Sequence, residues 1–250
     1  MSAPAIAFGS SGLLVTYHAG VAQTFSKHKW SRILGVSGGS VIGLLLCVCP
    51  EKLCAAEEYM LGKKWAKGIT WGDLWDPAGR ILPEYLACEG LLPENAYELA
   101  SGKLRVFCTR VHDRRSVAFD SWASNEELIR TVQASCSFAY SGVVLKDGLA
   151  YWDGGMAKDV PLLPTYPGAA TVTVSPFSGQ GASISPASRG WPRVSTRYGD
   201  LSWPNMVRSW DVSVPRSRAV MADYVEQGKS DAKEWAERTS AGPLPVSGGK

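Results

Sequence analysis

A serine set among glycines is the residue of this sequence best placed to do chemistry. Gly35-Val36-Ser37-Gly38-Gly39 fits the pattern Gly-x-Ser-x-Gly and follows the apolar pair Ile33-Leu34. A strand that turns abruptly into a helix strains such a serine and exposes its hydroxyl at the apex. The apolar run 41–49 predicts a buried helix whose N-terminal amides favour negative charge there. We predict a nucleophilic Ser37; the alternative is a helix N-cap in a glycine-rich turn.

An activated serine needs a base, and serine hydrolases commonly use a histidine. In the order serine, acid, histidine, the base follows the serine, and His112 is the only histidine after Ser37. His112 stands beside Asp113 and Arg114 in a polar stretch, so a solvated turn histidine is the favoured interpretation. A carboxylate base must therefore be considered.

Asp153 is the best candidate carboxylate, because it ends a short aromatic strand at 149–153 and precedes Gly154 and Gly155. The reference pKa of an aspartate is near 3.9, so Asp153 can take a proton from a hydroxyl only where desolvation raises its basicity. The neighbouring Trp152 favours such burial. The alternative is a tight Asp-Gly turn without a chemical role.

The elements around these residues read as an α/β domain. Apolar runs predict a first strand at 5–8 and a first helix at 13–25, before the strand and helix of the serine motif. This strand–helix–strand–helix start implies a parallel sheet, which binds ligands beyond the carboxyl ends of its strands. Further predictions are strands at 104–110 and 116–119, a helix at 55–67, a capped helix from Ser124 toward 134, a surface loop at 175–192 and a helix at 215–237.

Together these motifs resemble those of the patatin-like phospholipases, most closely the adipose triglyceride lipase branch. The stretch 7–21 is similar to the family's glycine-rich loop, 35–39 to its serine motif and 153–155 to its aspartate motif. Similarity at 101–111 and 172–179 extends the match over most of the chain. The resemblance implies a three-layer α/β fold with a mainly parallel central sheet flanked by helices.

The resemblance also implies a Ser-Asp dyad that works without a metal or an organic cofactor. The implied site residues are the catalytic Ser37 and Asp153; the oxyanion-hole residues Ser10, Ser11, Gly12 and Gly38; the elbow glycines Gly35 and Gly39; and Gly154 and Gly155 of the aspartate motif. The chain departs from the family pattern at three positions. Ser10 and Val15 replace glycines, which would cost an oxyanion donor if either position needs positive φ. Asp159 replaces an asparagine and could raise the pKa of Asp153 by like-charge repulsion.

The expected reaction is hydrolysis of triacylglycerol to diacylglycerol and a free fatty acid. One alternative is phospholipase A or acylglycerol transacylase activity, because the same dyad can act on other lipid esters. Another alternative is a lipid-binding protein with little or no activity, which the altered loop residues Ser10 and Val15 suggest. The implied partners are a lipid ester substrate and a lipid droplet or membrane surface; a protein co-activator has no local signature.

Length and composition fit one catalytic domain. A chain of 250 residues with 45% hydrophobic residues can bury a full core. We expect a single domain over 1–240, with the core motifs at 5–179, a helical part at 200–240 and a disordered tail at 241–250. A net charge of +3 and scattered basic residues do not favour nucleic acid as a partner. Six cysteines without CxxC metal spacing indicate reduced, buried thiols and no metal site.

The expected location is the cytoplasm, with peripheral contact on lipid droplets or membranes. The first eight residues lack the pattern of a secretory signal, and the run 41–49 is too short to cross a bilayer. Tryptophans and lysines at 63–75 suit a lid at a lipid interface. The alternative is that these tryptophans pack against the side of the domain.

Overall fold

Two strand-to-helix units open the chain and build the centre of its sheet. In the computed structural model, β1 (Ala5–Phe8) leads through a short 3-10 helix into α1 (Val15–Thr24), and β2 (Ile33–Val36) leads into α2 (Gly38–Val48). The described residues are 3–62, 91–137, 142–145, 147–159, 163–187, 195–196, 199–214 and 216–240. The predicted strand–helix–strand–helix start is confirmed.

Some of the remaining elements were predicted from the sequence, and others were not. The strands predicted at 104–110 and 116–119 are confirmed to the residue. In chain order the elements are α3 (Leu53–Met60), α4 (Ala96–Ala100), β3 (Leu104–Arg110), β4 (Ser116–Phe119), α5 (Asn125–Ser135), β5 (Val143–Val144), β6 (Ala150–Asp153), β7 (Thr171–Val174), β8 (Ser195–Thr196), β9 (Gly199–Asp200), α6 (Trp203–Asp211) and α7 (Arg218–Ser240). Short 3-10 helices lie at Gly12–Leu14, Pro50–Lys52 and Gly154–Met156.

The main sheet is mixed, with a parallel centre. Its strands lie in the order β5-β6-β3-β2-β1-β7, and β4 also pairs with β3. The pairings β3–β2, β2–β1 and β1–β7 are parallel, whereas β4 and β6 run antiparallel to β3, and β5 runs antiparallel to β6. Helices flank this sheet, so the predicted three-layer α/β architecture is confirmed. β8 and β9 form a separate two-stranded sheet.

Helices α1 and α7 cross at very short range, because each has a glycine at the contact. A Cβ added to Gly20 of α1 would lie 2.0 Å from the carbonyl oxygen of Val225, and one added to Gly228 of α7 would lie 2.2 Å from that of Tyr17. The Tyr17 hydroxyl also donates to Asp231 Oδ2 at 2.8 Å. The carboxyl-terminal helix is thereby packed directly against the helix that follows the glycine-rich loop.

Some predictions concern residues that the structure does not describe. The lid at 63–75, the end of the helix predicted at 55–67, Cys88 and the tail at 241–250 lie outside the described residues. Cys47, Cys49 and Cys108 are buried as expected, but Cys136 is only half-buried and Cys54 is exposed, since it lies on the outer side of α3. In the described part, no single helix is long and apolar enough to cross a membrane; Gly38–Val48 and Pro50–Met60 reach that length and composition only as a pair, bent by 118°.

Candidate active site

The sheet register brings the serine and aspartate motifs together. Val36, the last residue of β2, pairs with Phe107 of β3, and Asp153, the last residue of β6, pairs with the next residue, Cys108. Because β6 runs antiparallel to β3, its carboxyl end reaches the carboxyl end of β2 from the opposite direction. Ser37 and Asp153 therefore leave the sheet at the same place.

Ser37 occupies a strained turn that its neighbours hold in place. Its φ of 56° and ψ of −134° lie outside the regions that residues with a side chain favour. Its amide donates to Ser135 Oγ at 3.0 Å, and that hydroxyl donates to the Phe107 carbonyl oxygen at 2.7 Å. The Ser40 hydroxyl donates to the Ser37 carbonyl oxygen at 2.7 Å. The Ser37 side chain makes no capping bond to α2, so its hydroxyl is not committed to the N-cap.

The glycines of the two motifs fit where no side chain has room. A Cβ on Gly39 would lie 2.4 Å from the carbonyl oxygen of Phe8, and one on Gly35 would lie 2.4 Å from Ser40 Cα. A Cβ on Gly154 would lie 2.2 Å from the Phe107 carbonyl oxygen. These contacts are with backbone atoms, which cannot rotate away. The elbow therefore packs tightly against β1, and the aspartate motif packs tightly against β3.

Asp153 is buried, and hydrogen bonds hold both its side chain and its backbone. Its side chain accepts a hydrogen bond at Oδ1 from the Gly155 amide at 2.8 Å, while its carbonyl oxygen accepts one from Thr109 Oγ1 at 2.7 Å. Its amide donates to the Ser137 carbonyl oxygen at 2.8 Å. A 3-10 helix follows Asp153, rather than the tight Asp-Gly turn considered as the alternative. The second carboxyl oxygen, Oδ2, accepts no hydrogen bond from the described residues.

Burial makes the Asp153 carboxyl group more basic than an ordinary aspartate. Desolvation raises its pKa to about 7, and hydrogen bonding by the Ser37 side chain and the Gly155 amide lowers the pKa only in part. The Ser37 hydroxyl is therefore near enough to the Asp153 carboxyl group to favour its charged form. Near neutral pH, this carboxyl group can both accept and release a proton.

The glycine-rich loop lies across the elbow. A Cβ on Gly38 would lie 2.6 Å from Ser11 Oγ, and a Cβ on Gly155 would lie 3.1 Å from Ser10 Oγ. The amides of Ser10, Ser11 and Gly12 donate to no backbone carbonyl among the described residues. Backbone donors next to a candidate nucleophile, with no carbonyl partner among the described residues, are what an oxyanion hole requires.

The replaced glycines of this loop impose no backbone strain. Gly12 has a φ of +50°, and it keeps the residue type that this conformation favours. Val15 has a φ of −50° and a ψ of −26° at the start of α1, and Ser10 has no positive φ. Neither Ser10 nor Val15 therefore needs to be glycine for the backbone to follow this path.

Two residues that the sequence analysis did not single out hold the loop from either side. The carbonyl oxygen of Val212, just after α6, accepts a hydrogen bond from the Leu13 amide at 2.9 Å and would lie 2.6 Å from a Cβ on Gly12. His18 of α1 donates from Nε2 to the Gly9 carbonyl oxygen at 3.0 Å, and burial lowers its pKa to about 4, so its ring is neutral. Neither contact has a local signature, because each joins residues that only the fold brings together.

The other residues considered as a base or as its modulator lie elsewhere. His112 has a side chain that is 63% exposed and stands 3.8 Å from Asp113, in agreement with a solvated turn. The expectation that Asp159 raises the pKa of Asp153 is wrong. Asp159 is exposed and accepts a hydrogen bond from the Ser116 amide at 2.9 Å, and desolvation rather than a second carboxylate raises the pKa.

Comparison with known proteins adds the family to this geometry. The family model for patatin-like phospholipases matches residues 6–166, which include both motifs and the loop. The chain belongs to the patatin-like phospholipase family. It is 30% identical to human patatin-like phospholipase domain-containing protein 4, with 90% of this chain and 93% of that protein covered.

Longer relatives extend well beyond the matched region. The chain is 29% identical to bovine patatin-like phospholipase domain-containing protein 2 and 28% identical to mouse omega-hydroxyceramide transacylase. It covers 50% and 41% of those two proteins, respectively, while 93% and 96% of this chain are aligned. Membership of this family, with its transacylase relative, implies a lipid hydrolase or acyl-transfer activity.

Proposed function

We propose that this chain hydrolyses triacylglycerol to diacylglycerol and a free fatty acid, with Ser37 and Asp153 as a catalytic dyad. The observation that carries the proposal is the pairing of a strained, uncommitted serine hydroxyl with a buried carboxyl group whose pKa is raised to about 7. A carboxylate of ordinary basicity would be a poor base for a hydroxyl, so the burial supplies what the chemistry needs. The choice of triacylglycerol rests on the resemblance to the adipose triglyceride lipase branch.

The first half of the reaction makes an acyl-enzyme. Asp153 takes the proton of the Ser37 hydroxyl as Oγ forms a bond to the ester carbonyl carbon. The carbonyl oxygen gains negative charge and is held by the amides around Ser11, Gly12 and Gly38. When the intermediate collapses, the carbon–oxygen bond to glycerol breaks, and the diacylglycerol oxygen takes the proton from Asp153.

The second half restores the enzyme. A water molecule gives a proton to Asp153 and adds to the acyl carbon, the bond to Ser37 Oγ breaks, and the serine regains its proton. The fatty acid then leaves. Each half uses Asp153 first as a base and then as an acid, for which a pKa near the working pH is favourable.

Substitution of the nucleophile tests the dyad directly. Ser37→Ala should reduce triolein hydrolysis by about a thousandfold or more and abolish labelling by a fluorophosphonate probe, which peptide mass spectrometry locates. Ser116→Ala, on β4 and away from the elbow, is the matched control and should label and turn over like the wild type. Unchanged hydrolysis by Ser37→Ala would refute the dyad, and a folded wild type that neither labels nor hydrolyses esters would favour the inactive lipid-binding alternative.

Acyl transfer to another glyceride is the second candidate, because one relative is named as a transacylase. In that case the acyl group leaves Ser37 for an alcohol rather than for water. Incubation with labelled triolein, phosphatidylcholine and unlabelled diacylglycerol, followed by product analysis, separates these activities. Labelled fatty acid and labelled dioleoylglycerol, without label on the added diacylglycerol, support hydrolysis, whereas a labelled triacylglycerol built on the added diacylglycerol, or a lysophospholipid, supports the alternatives.

A further inference from the structure

Helix α6 (Trp203–Asp211) is amphipathic, but its apolar and polar faces are reversed relative to a helix on a water-facing surface. Its buried side chains include Asn205, Arg208 and Asp211. Its exposed side chains include Trp203, Met206 and Trp210, at 74%, 55% and 60% exposure. A helix on a water-facing surface normally shows the opposite arrangement. An environment other than water on the outer face would account for this pattern.

Hydrogen bonds made by the polar inner face fix the orientation of the helix. The Asn205 side-chain amide donates to the carbonyl oxygens of Ser178 and Asp200, at 3.1 and 2.8 Å. Asp211 is fully buried and accepts a hydrogen bond from the Tyr224 hydroxyl at 2.7 Å. Rotation of α6 to bury its tryptophans would break these bonds and strand the buried polar groups. The apolar face is therefore held outward by the structure.

The outer face combines side chains that suit the boundary between lipid and water. Trp203 and Trp210 have a large apolar body and one N–H donor each, a combination that favours the interfacial layer of a membrane. Leu201, at 58% exposure, continues the apolar surface before the helix begins. Leu201, Trp203, Met206 and Trp210 are together called the outer patch. Four side chains are few beside the roughly 20 to 30 residues per partner of a stable protein interface, so the size of the patch favours lipid.

The outer patch is also mechanically continuous with the candidate active site. The carbonyl oxygen of Val212, the residue after α6, accepts a hydrogen bond from the Leu13 amide and contacts Gly12 of the loop proposed to hold the oxyanion. A lipid surface that contacts α6 would therefore lie on the element that shapes the loop. The substrates proposed above are insoluble in water, so an enzyme acting on them must meet a lipid surface near its site.

We propose that the outer patch of α6 inserts into a phospholipid surface and docks the candidate active site there. This proposal rests on the proposed function for its choice of lipid as the occupant. The patch is the membrane-contacting surface, and the polar inner face transmits its position to the loop through Val212.

Vesicle binding tests the patch. A Trp203→Ser/Trp210→Ser double variant should bind phosphatidylcholine vesicles at least about tenfold more weakly than the wild type in a flotation assay. The matched control, Leu99→Ser, replaces an exposed apolar side chain (45%) of α4 and should bind like the wild type. The Trp203→Phe/Trp210→Phe variant keeps apolar side chains and should retain binding. Wild-type binding by the double Ser variant would overturn the proposal.

Quenching by brominated phosphatidylcholine shows whether the patch enters the lipid. The wild type should be quenched on vesicle binding, and the Phe double variant should bind equally but lose a clear part of that quenching, although eight of the ten tryptophans remain in the chain. Equal quenching of the two proteins would place other tryptophans in the lipid and refute insertion by α6.

Sedimentation without lipid adds a second test, because a dimer that the Ser variant converts to a monomer would assign the patch to a second copy instead.

Catalysis on a water-soluble ester separates this proposal from the proposed function. With p-nitrophenyl butyrate, the double Ser variant should retain wild-type turnover, while triolein emulsion hydrolysis falls in parallel with vesicle binding. If the wild type hydrolyses neither substrate but binds vesicles more tightly than the double Ser variant, the proposed function fails and the docking proposal stands. If both substrates are hydrolysed and binding does not depend on the patch, the docking proposal fails alone.

Discussion

Helices α2 and α6 both border the candidate active site, yet they are built on opposite principles. In α2 the residues from Gly38 to Cys47 are all buried, and the helix fixes the elbow by close packing. In α6 the buried side chains include hydrogen-bonding groups, and the large apolar ones face outward. Close packing suits an element that must hold one serine in a strained turn. Directional hydrogen bonds suit an element that must hold a loop while its other face meets a partner.

The largest expected effect breaks the packed side of this comparison. Gly39→Ala would place a Cβ 2.4 and 2.5 Å from the carbonyl oxygens of Phe8 and Gly9. We expect a loss of about 4 kcal/mol or more in the free energy of unfolding, or failure to fold. Gly148→Ala is the control, because a Cβ there contacts nothing within 4 Å, and its φ of +75° should cost only about 1 kcal/mol. Similar urea midpoints for the two variants would contradict close packing at the elbow.

The next largest effect concerns the free energy of unfolding that is lost when the buried Asp153 carboxyl group ionises. The pKa of Asp153 is raised by burial to about 7, above its unfolded value, so this group favours folding at low pH. That contribution is lost as pH rises from about 4 to 7, at up to about 1.4 kcal/mol per pH unit. Asp153→Asn should therefore gain stability relative to the wild type by a few kcal/mol between pH 4 and pH 8. Unfolding by urea at several pH values measures this difference, and a flat difference would contradict the raised pKa.

The same substitution separates stability from activity. Asp153→Asn should lower kcat/KM for a soluble ester by about a hundredfold or more, because the proposed base is removed. In the wild type, kcat/KM should rise with pH up to an apparent pKa of about 7 and then level, since the base must be ionised. A wild-type profile that is flat from pH 5 to pH 8 would rule out Asp153 as the group that limits activity.

A smaller effect tests the hydrogen-bonded side of the comparison. Asp211→Ala removes the acceptor of the Tyr224 hydroxyl and the carboxylate 3.4 Å from Arg216. We expect a loss of about 2 to 3 kcal/mol in the free energy of unfolding. Asp223→Ala, at an exposed position of α7, should change that free energy by no more than about 0.5 kcal/mol. Equal effects of the two substitutions would show that the inner face of α6 is not stabilising.

The smallest effect concerns the outer patch in water. Trp210→Ser should alter the free energy of unfolding by about 0.5 kcal/mol or less, because the side chain is already 60% exposed. Leu44→Ala in α2, where the side chain is fully buried, should cost about 2 to 5 kcal/mol. Comparable losses in the two variants, measured by thermal and urea unfolding, would mean that Trp210 packs on the protein and is not free to meet lipid.

Much of the fold could be predicted because its strands are short apolar runs bounded by turn residues. The strand at 104–110 and the elbow at 35–39 carry their signals locally, in residue type and spacing. The orientation of α6 could not be predicted this way. Apolar side chains at 203, 206 and 210 would ordinarily mark a buried stripe, and only distant partners such as Tyr224 show that the opposite face is inside.

The candidate site, too, has features that the sequence indicated and features that only the structure shows. The motifs indicated Ser37 and Asp153, and the sheet register places them side by side, but their roles stay predictions until the variants are measured. The effect assigned to Asp159 was wrong, because proximity in sequence to Asp153 does not place its carboxylate near that residue in space. Val212 and His18 could not be found from the sequence, since their contacts with the loop depend on how helices pack.

The crossing of α1 and α7 at Gly20 and Gly228 has a consequence for biosynthesis. The first helix begins beside the glycine-rich loop, but its packing partner is among the last described segments of the chain. A nascent polypeptide still attached to the ribosome would already contain Ser37 and Asp153 before α7, which packs behind the loop, had been synthesised. The loop should therefore take its final position only after α7 has been synthesised and has docked on α1.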